Sequence, residues 1–168
     1  MIQWQYYPKS DTAPLIAATV ISAFQEANDK IDSSEHKLDS NRVLEAITPH
    51  LEAAGFQVET GKKAADKIHV PVLFGLNGQV DKSFDADAYH LESGFVLEVE
   101  AGRGVTNNQF LKDLFQACMM NGVNHLGIAL RNDYRGANDF DKVLRFFDTM
   151  YASSRLHLPL QGILVIGY

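Results

Sequence analysis

Residues 84–90 read Phe84-Asp85-Ala86-Asp87-Ala88-Tyr89-His90, followed by Leu91-Glu92-Ser93-Gly94 and then Phe95-Val96-Leu97-Glu98-Val99-Glu100. The flanking apolar and β-branched residues predict two strands joined by a tight turn over Leu91 to Gly94. Residues two apart in a strand share a face. Asp85 therefore lies with Asp87 and Glu98 with Glu100, while Phe95, Leu97 and Val99 point toward a core. Closing the turn pairs His90 with Phe95, and counting back sets Asp87 opposite Glu98 and Asp85 opposite Glu100. Directly opposed Cβ atoms are about 4.5–5.5 Å apart. Like charges at that distance destabilise the pair unless a proton or cation intervenes. Acids are scarce in strands, and carboxylate oxygens are the ligands that hard divalent cations prefer. The competing reading is a hairpin with its acids on a wet face, which antiparallel pairs often have. Two features oppose it. Only Lys82 is available as a matching cation on that face, and a Gly-x-Gly turn and a helix follow Glu100. The acids thus sit at the C-terminal end of a strand, where α/β folds build their sites.

Upstream, Val80 to His90 reads as one strand, and Gly75-Leu76-Asn77-Gly78 as the turn before it. Ile68 to Phe74 is a strand in which Pro71 marks an edge or an irregularity. Phe56 to Thr60 alternates as a short strand, followed by a turn over Gly61 to Asp66 that carries Lys62 and Lys63. A helix is expected from about Ala13 to Ala27, opened by Pro14, then a polar loop over Asn28 to Asp39. Ser40 is the candidate cap of a second helix, with Val43, Leu44, Ile47, Leu51 and Ala54 at helical spacing. Pro49 inside it predicts a kink or break near Thr48, and Gly55 is the stop. Downstream, Ala101 to Gly104 breaks the strand. Asn107 or Asn108 caps a helix over Gln109 to Met120, with Phe110, Leu111, Leu114, Phe115 and Ala117 apolar. His125 to Leu130 is a buried strand, Arg131 to Asn138 a loop, Asp139 to Tyr151 a helix, and Gly162 to Tyr168 a last strand. The order is α-α-β-β-β-β-α-β-α-β, an α/β (α+β) chain with a mixed sheet. The crossover from Phe95 to Leu130 should make its two strands parallel and right-handed.

The 168 residues fit one domain over 1–168, and 46% hydrophobic with 21% charged residues is ordinary for a globular protein. No apolar run approaches the roughly 20 residues that span a bilayer, and Met1 to Asp11 lacks a signal-peptide pattern. With Cys118 the single cysteine, no internal disulfide forms. These features together predict a cytoplasmic location, with no membrane partner. The net charge of −6 argues against nucleic-acid binding through bulk basicity. The objection is partial, because acids that hold a metal are not free to repel phosphate.

Asp87, a ten-residue gap, and then apolar-Glu98-Val99-Glu100 resemble the core of the restriction-endonuclease-like, PD-(D/E)xK, superfamily of nucleases. The resemblance spans about Arg42 to Leu130 and implies a core α-β-β-β-α-β, with an extra N-terminal helix and a C-terminal helix and strand. Its strongest part is Val96-Leu97-Glu98-Val99-Glu100-Ala101-Gly102-Arg103. Glu100 stands where the family usually has lysine, a Glu-x-Glu form found in BamHI-type restriction enzymes, and no proline precedes Asp87. The resemblance implies Mg²⁺ or Mn²⁺ held by Asp87 and Glu98, with the Val99 carbonyl as a third ligand and Asp85 in reserve. Glu100 becomes a second metal ligand or the base for the attacking water. A helix carboxylate, Glu45 or Glu52, often assists in this superfamily. The implied chemistry is metal-assisted hydrolysis of a phosphodiester, with DNA as the substrate and a homodimer supplying reach and a second active site.

Lys112 and Gln116 lie one turn apart on the helix after the motif. Lys112 is the candidate for the charge that the missing lysine would give, against an ordinary exposed helix face. Arg103, between two glycines, is either a phosphate contact or a solvated turn residue. His90 and Cys118 read as structural, and Trp4, Tyr6 and Tyr7 as an N-terminal strand or arm packed on the core. The histidines lack zinc-site spacing, and Gly102-x-Gly104 lacks the rest of a nucleotide-binding fingerprint. Two other functions stand beside the nuclease. One is a non-catalytic protein of the same fold, acting as a binding or structural module. The other is a glycosidase, ranked last because its paired acids flank a sugar-sized cleft.

Overall fold

A computed structural model describes residues 1–61, 63–102, 104–133 and 135–168. Lys62 and Arg103, both weighed above, lie outside the described residues, as does Tyr134 in the loop after residue 130. The backbone forms β1 (Gln3–Tyr7), α1 (Leu15–Ile31), α2 (Ser40–Ala53), β2 (Gln57–Val58), β3 (Ile68–Phe74), β4 (Val80–Ala86), β5 (Ala88–His90), β6 (Phe95–Glu100), α3 (Gln109–Met119), β7 (His125–Leu130), α4 (Asp139–Ser153) and β8 (Gly162–Gly167). A six-stranded mixed sheet runs β1-β8-β7-β6-β5-β2, and β3 and β4 form a separate antiparallel hairpin. Strands β6, β7 and β8 are mutually parallel, linked through α3 and α4.

Helices cover both faces of this sheet. Phe95, Leu97 and Val99 of β6 pack with α1 and α2, whereas Val96 joins Leu126, Ile128 and Leu130 under α3 and α4. Strands β7 and β8 are buried at every residue, as parallel strands between two helical layers must be. Gly127 sits where a Cβ would meet Phe95 and Leu97 at 2.8 and 3.0 Å. The expected core therefore stands, extended by a second parallel crossover from β7 to β8.

Several boundaries move for identifiable reasons. Helix α1 runs on to Ile31 because Phe24, Ala27 and Ile31 continue its buried stripe, while the polar residues 28–30 include the exposed face. Helix α2 passes through Pro49 without a break. Its buried residues Val43, Leu44, Ile47 and Leu51 hold it to the core, Pro49 faces solvent, and Thr48 donates to the Leu44 carbonyl at 2.7 Å. Asp39, not Ser40, caps it, accepting from the Arg42 amide at 3.0 Å. Trp4, Tyr6 and Tyr7 belong to β1, which pairs antiparallel with β8. Pro71 does mark an irregularity, since the β3–β4 register shifts beside it. The tip of that hairpin exposes Leu73, Phe74, Leu76 and Val80.

The largest departure concerns residues 80–90, expected as one strand. The ladder breaks at Asp87, so Val80–Ala86 pairs with β3 and Ala88–His90 pairs with β6. His90 does pair with Phe95 and Ala88 with Leu97. Asp85, however, lies opposite His69, not opposite Glu100. At the break the Asp87 carbonyl accepts from the Glu59 amide at 2.8 Å and its carboxylate accepts from the Val99 amide at 2.7 Å. The side chain thus supplies the acceptor that a continuing strand would have given to β6. No helix among the described residues is long and apolar enough to cross a membrane.

Candidate active site

A cavity of about 530 Å³ opens at the C-terminal end of β6. Its lining includes Asp87, Glu98, Val99 and Glu100 from the sheet, Gln109, Lys112, Asp113 and Gln116 from α3, and Lys82 and Asp85 from β4. Glu59 and Lys67 also line it, joined by an ion pair of 2.6 Å with the Glu59 side chain only 6% exposed. The period of two on β6 turns Glu98 and Glu100 away from the Leu97 and Val99 core and into this space. Strand geometry also places the Val99 carbonyl on the β5 side with its amide, beside Asp87.

Four acids lie buried or half-buried around this cavity, and each is driven toward its neutral form. Burial pushes Asp87 up to about 6, assisted by Glu59 and opposed by the Val99 hydrogen bond. Glu98 rises well above the ordinary range through burial and the charges of Asp87, Asp113 and Glu100, with Lys112 working the other way. Burial, Asp113 and Asp87 push Glu100 up to about 8, again against Lys112. Asp113 rises to about 6 through burial, opposed by Lys112 and by hydrogen bonds. Its Oδ1 accepts from Gln109 Nε2 at 3.1 Å. Its Oδ2 has no donor among the described residues, and the side chain is 4% exposed. The neighbouring Glu100 carboxyl bonds to it only if the two share a proton.

Asp87, Glu98, Glu100 and Lys112 therefore meet at one cavity. Asp85 reaches its rim from the hairpin, where its half-exposed carboxylate lies 2.8 Å from His69 Nδ1. Glu45 pairs with Arg42 at 2.9 Å, Glu52 is exposed, and neither lines the cavity. The helix carboxylate comes instead from α3, as Asp113. Sequence reading passed over Asp113 and the Glu59–Lys67 pair. The stripe Gln109, Asp113, Gln116, at steps of four and three beside the apolar Phe110, Leu114 and Ala117, is the pattern that marks Asp113. Among the described residues no group of three or more His, Cys, Asp or Glu side chains stands ready-made as a metal cage.

This mixed sheet, with its two helical layers and acids at the end of β6, is the restriction-endonuclease-like fold. The chain is similar to the crystal structure of free BglII, with a TM-score of 0.50 and 12% identity over 99% of this chain and 78% of that one. It is also similar to the restriction endonuclease BglII complexed with a DNA 16-mer, with a TM-score of 0.52 and 13% identity over 99% and 77%. At this identity the likeness is one of fold. No protein-family model matches the sequence, and no curated protein is significantly similar to it.

Proposed function

We propose that this chain is a Mg²⁺- or Mn²⁺-dependent nuclease that hydrolyses phosphodiester bonds in DNA. The observation that carries the reading is the convergence of Asp87, Glu98, Glu100 and Asp113 on one cavity, each pushed toward neutrality by burial and, in three of them, by its neighbours' charge. Four acids, Asp113 buried and the other three half-buried, crowd one cavity and are costly to ionise together, even with Lys112 beside them. An all-oxygen donor set and an orphaned carboxylate oxygen suit a hard divalent ion. When bound, the ion supplies Lewis-acid chemistry, neutralising charge on the scissile phosphate and lowering the pKa of water.

Asp87 and Glu98 would hold the ion, with the Val99 carbonyl as a third ligand. The Val99 amide fixes the Asp87 carboxylate in place. Glu100 orients the attacking water from the position where the family motif has lysine. Lys112 gives the positive charge that this substitution removes, and Asp85 is the reserve ligand on the hairpin. The attacking water's oxygen would bond to phosphorus and give its proton to the Glu100 carboxylate, while the broken P–O bond leaves its electrons on the departing oxygen, which takes a proton from solvent. Each centre cuts one strand, so cutting both strands of a duplex calls for a homodimer.

The test combines calorimetric titration of Mn²⁺ or Mg²⁺ with a plasmid-nicking assay on the wild type, Asp87→Asn and Glu98→Ala. We expect metal-dependent nicking that falls by about two orders of magnitude or more in either variant, because a lost ligand forfeits several kcal/mol of charge stabilisation. Absence of metal binding at near-millimolar ion would sink the reading. Glu100 in place of lysine favours one alternative, a metal-binding module of the same fold that does not cut. Binding without nicking would establish that alternative.

A further inference from the structure

We propose that a second pocket, at the C-terminal end of β7 and β8, binds a phosphate group through Lys37, Arg131 and Arg135. Its volume is about 540 Å³, and among the described residues it shares no lining side chain with the carboxylate cavity. One wall is the loop between α1 and α2, with Ser33, Ser34 and Lys37. The other is the loop after β7, with Arg131, Asp133 and Arg135. Three cations against one acid leave a local excess of positive charge, on a chain whose net charge is −6. A concave patch of one sign concentrates ligands of the other. Guanidinium forks and an ammonium group are the donors that suit phosphate oxygens.

The walls are tied together by hydrogen bonds. Arg131 is only 9% exposed, and its guanidinium donates to the Leu38 carbonyl and bonds the Tyr168 hydroxyl. Tyr168 in turn donates to the Glu100 carbonyl at 3.2 Å. The Ser33 hydroxyl donates to the Tyr168 carbonyl and accepts from the Asp133 amide at 3.1 Å, which joins the two loops. The Asp133 carboxylate closes its own turn, accepting from the Gly136 amide at 3.0 Å. Asp32, which accepts from the Ser34 hydroxyl at 2.6 Å, is matched by the Met1 amino group at 2.5 Å. Register sets this pocket beside the acids. Glu100 pairs with Leu130, and Arg131 follows Leu130. Neighbouring strands lie about 4.8 Å apart, so acids and bases stand on adjacent strands at the same end of the sheet. The source this adjacency favours is a backbone phosphate of a DNA strand that also reaches the cavity, a preference that rests on the nuclease reading. A small phosphorylated molecule carries the same chemistry.

The full chain, free of metal, is titrated with inorganic phosphate, read by phosphorus NMR line width, and with a fluorescent DNA duplex, read by anisotropy over a salt series. Lys37→Gln and Arg135→Gln are exposed substitutions, away from the core. Arg155→Gln is the charge-matched control, since Arg155 is exposed and lies between α4 and β8, at the other end of β8. Each pocket variant is expected to bind inorganic phosphate about fivefold more weakly or worse, and the control to change less than about twofold. Duplex binding that weakens in both pocket variants, with a salt slope smaller by about one, assigns the pocket to a DNA backbone phosphate. Loss of phosphate binding with duplex binding unchanged assigns it to a small phosphorylated ligand. Pocket variants that match Arg155→Gln with both probes would overturn the inference, and the metal and nicking tests of the nuclease reading would stand apart from that result. Absence of metal binding with phosphate binding intact would sink the nuclease reading alone.

Discussion

At the scale of single residues, the site sets charge against burial. Lys112 is the exposed cation that works against the rise of Glu98, Glu100 and Asp113. Lys112→Met should lower nicking about tenfold, equivalent to about 1.4 kcal/mol, while the melting temperature barely moves, since exposed substitutions usually stay within about 0.5 kcal/mol. Nicking rates and melting curves on the same preparation check both halves. Asp87, Glu98 and Glu100 were legible in the sequence because a period of two makes strand faces unambiguous. Asp113 was not, because on α3 it borders both the apolar stripe and the polar one. Asp85 misled for a related reason. The same period holds on either side of Asp87, but the strand changes partners there, so Asp85 faces His69. A pattern of spacing carries no mark of such a change.

At the scale of elements, Gly104, between β6 and α3, is closely packed. A Cβ at Gly104 would meet Leu130 Cδ2 at 2.5 Å and Glu100 Cβ at 3.2 Å. Gly104→Ala therefore presses on a core leucine and on a site acid together. It should cost about 1–3 kcal/mol, or roughly 2–4 °C of melting temperature per kcal/mol for a chain of this size, with a fall in nicking. Unchanged melting and nicking would show that Leu130 and Glu100 give way to the added methyl. The helices and the three parallel strands were readable because their apolar periods are long. The break at Asp87 was not, since it depends on a carboxylate reaching the Val99 amide from twelve residues away. Strand β1 was legible as a strand or arm packed on the core, but not its partner, because its pairing with β8 spans almost the whole chain.

At the scale of the whole molecule, the acids tie stability to pH. Each has a folded pKa above its unfolded value, so the folded chain binds more protons in between, and stability falls as pH rises through that window. For Glu100 the window runs from 4.5 to about 8, and for Asp87 and Asp113 from 3.8 to about 6. Buried His125, whose pKa is lowered by burial, acts in the opposite sense and loses stability as pH falls below its ordinary 6.5. Comparing the wild type with Glu100→Gln cancels that contribution. In metal-free buffer Glu100→Gln should melt higher than the wild type at pH 8 and at the same temperature at pH 4. Parallel melting curves across that range would disprove the assignment. Mn²⁺ should raise wild-type melting more at pH 8 than at pH 5, because protons compete for the same oxygens. The break at Asp87 has a mechanical side as well. Strand β4 is a rod of seven residues, about 23 Å long at 3.3 Å per residue, with greasy side chains at its free end and a carboxylate at its pivot. The strand that starts at the exposed hairpin tip ends beside Asp87, so tip and acid share one continuous length of backbone.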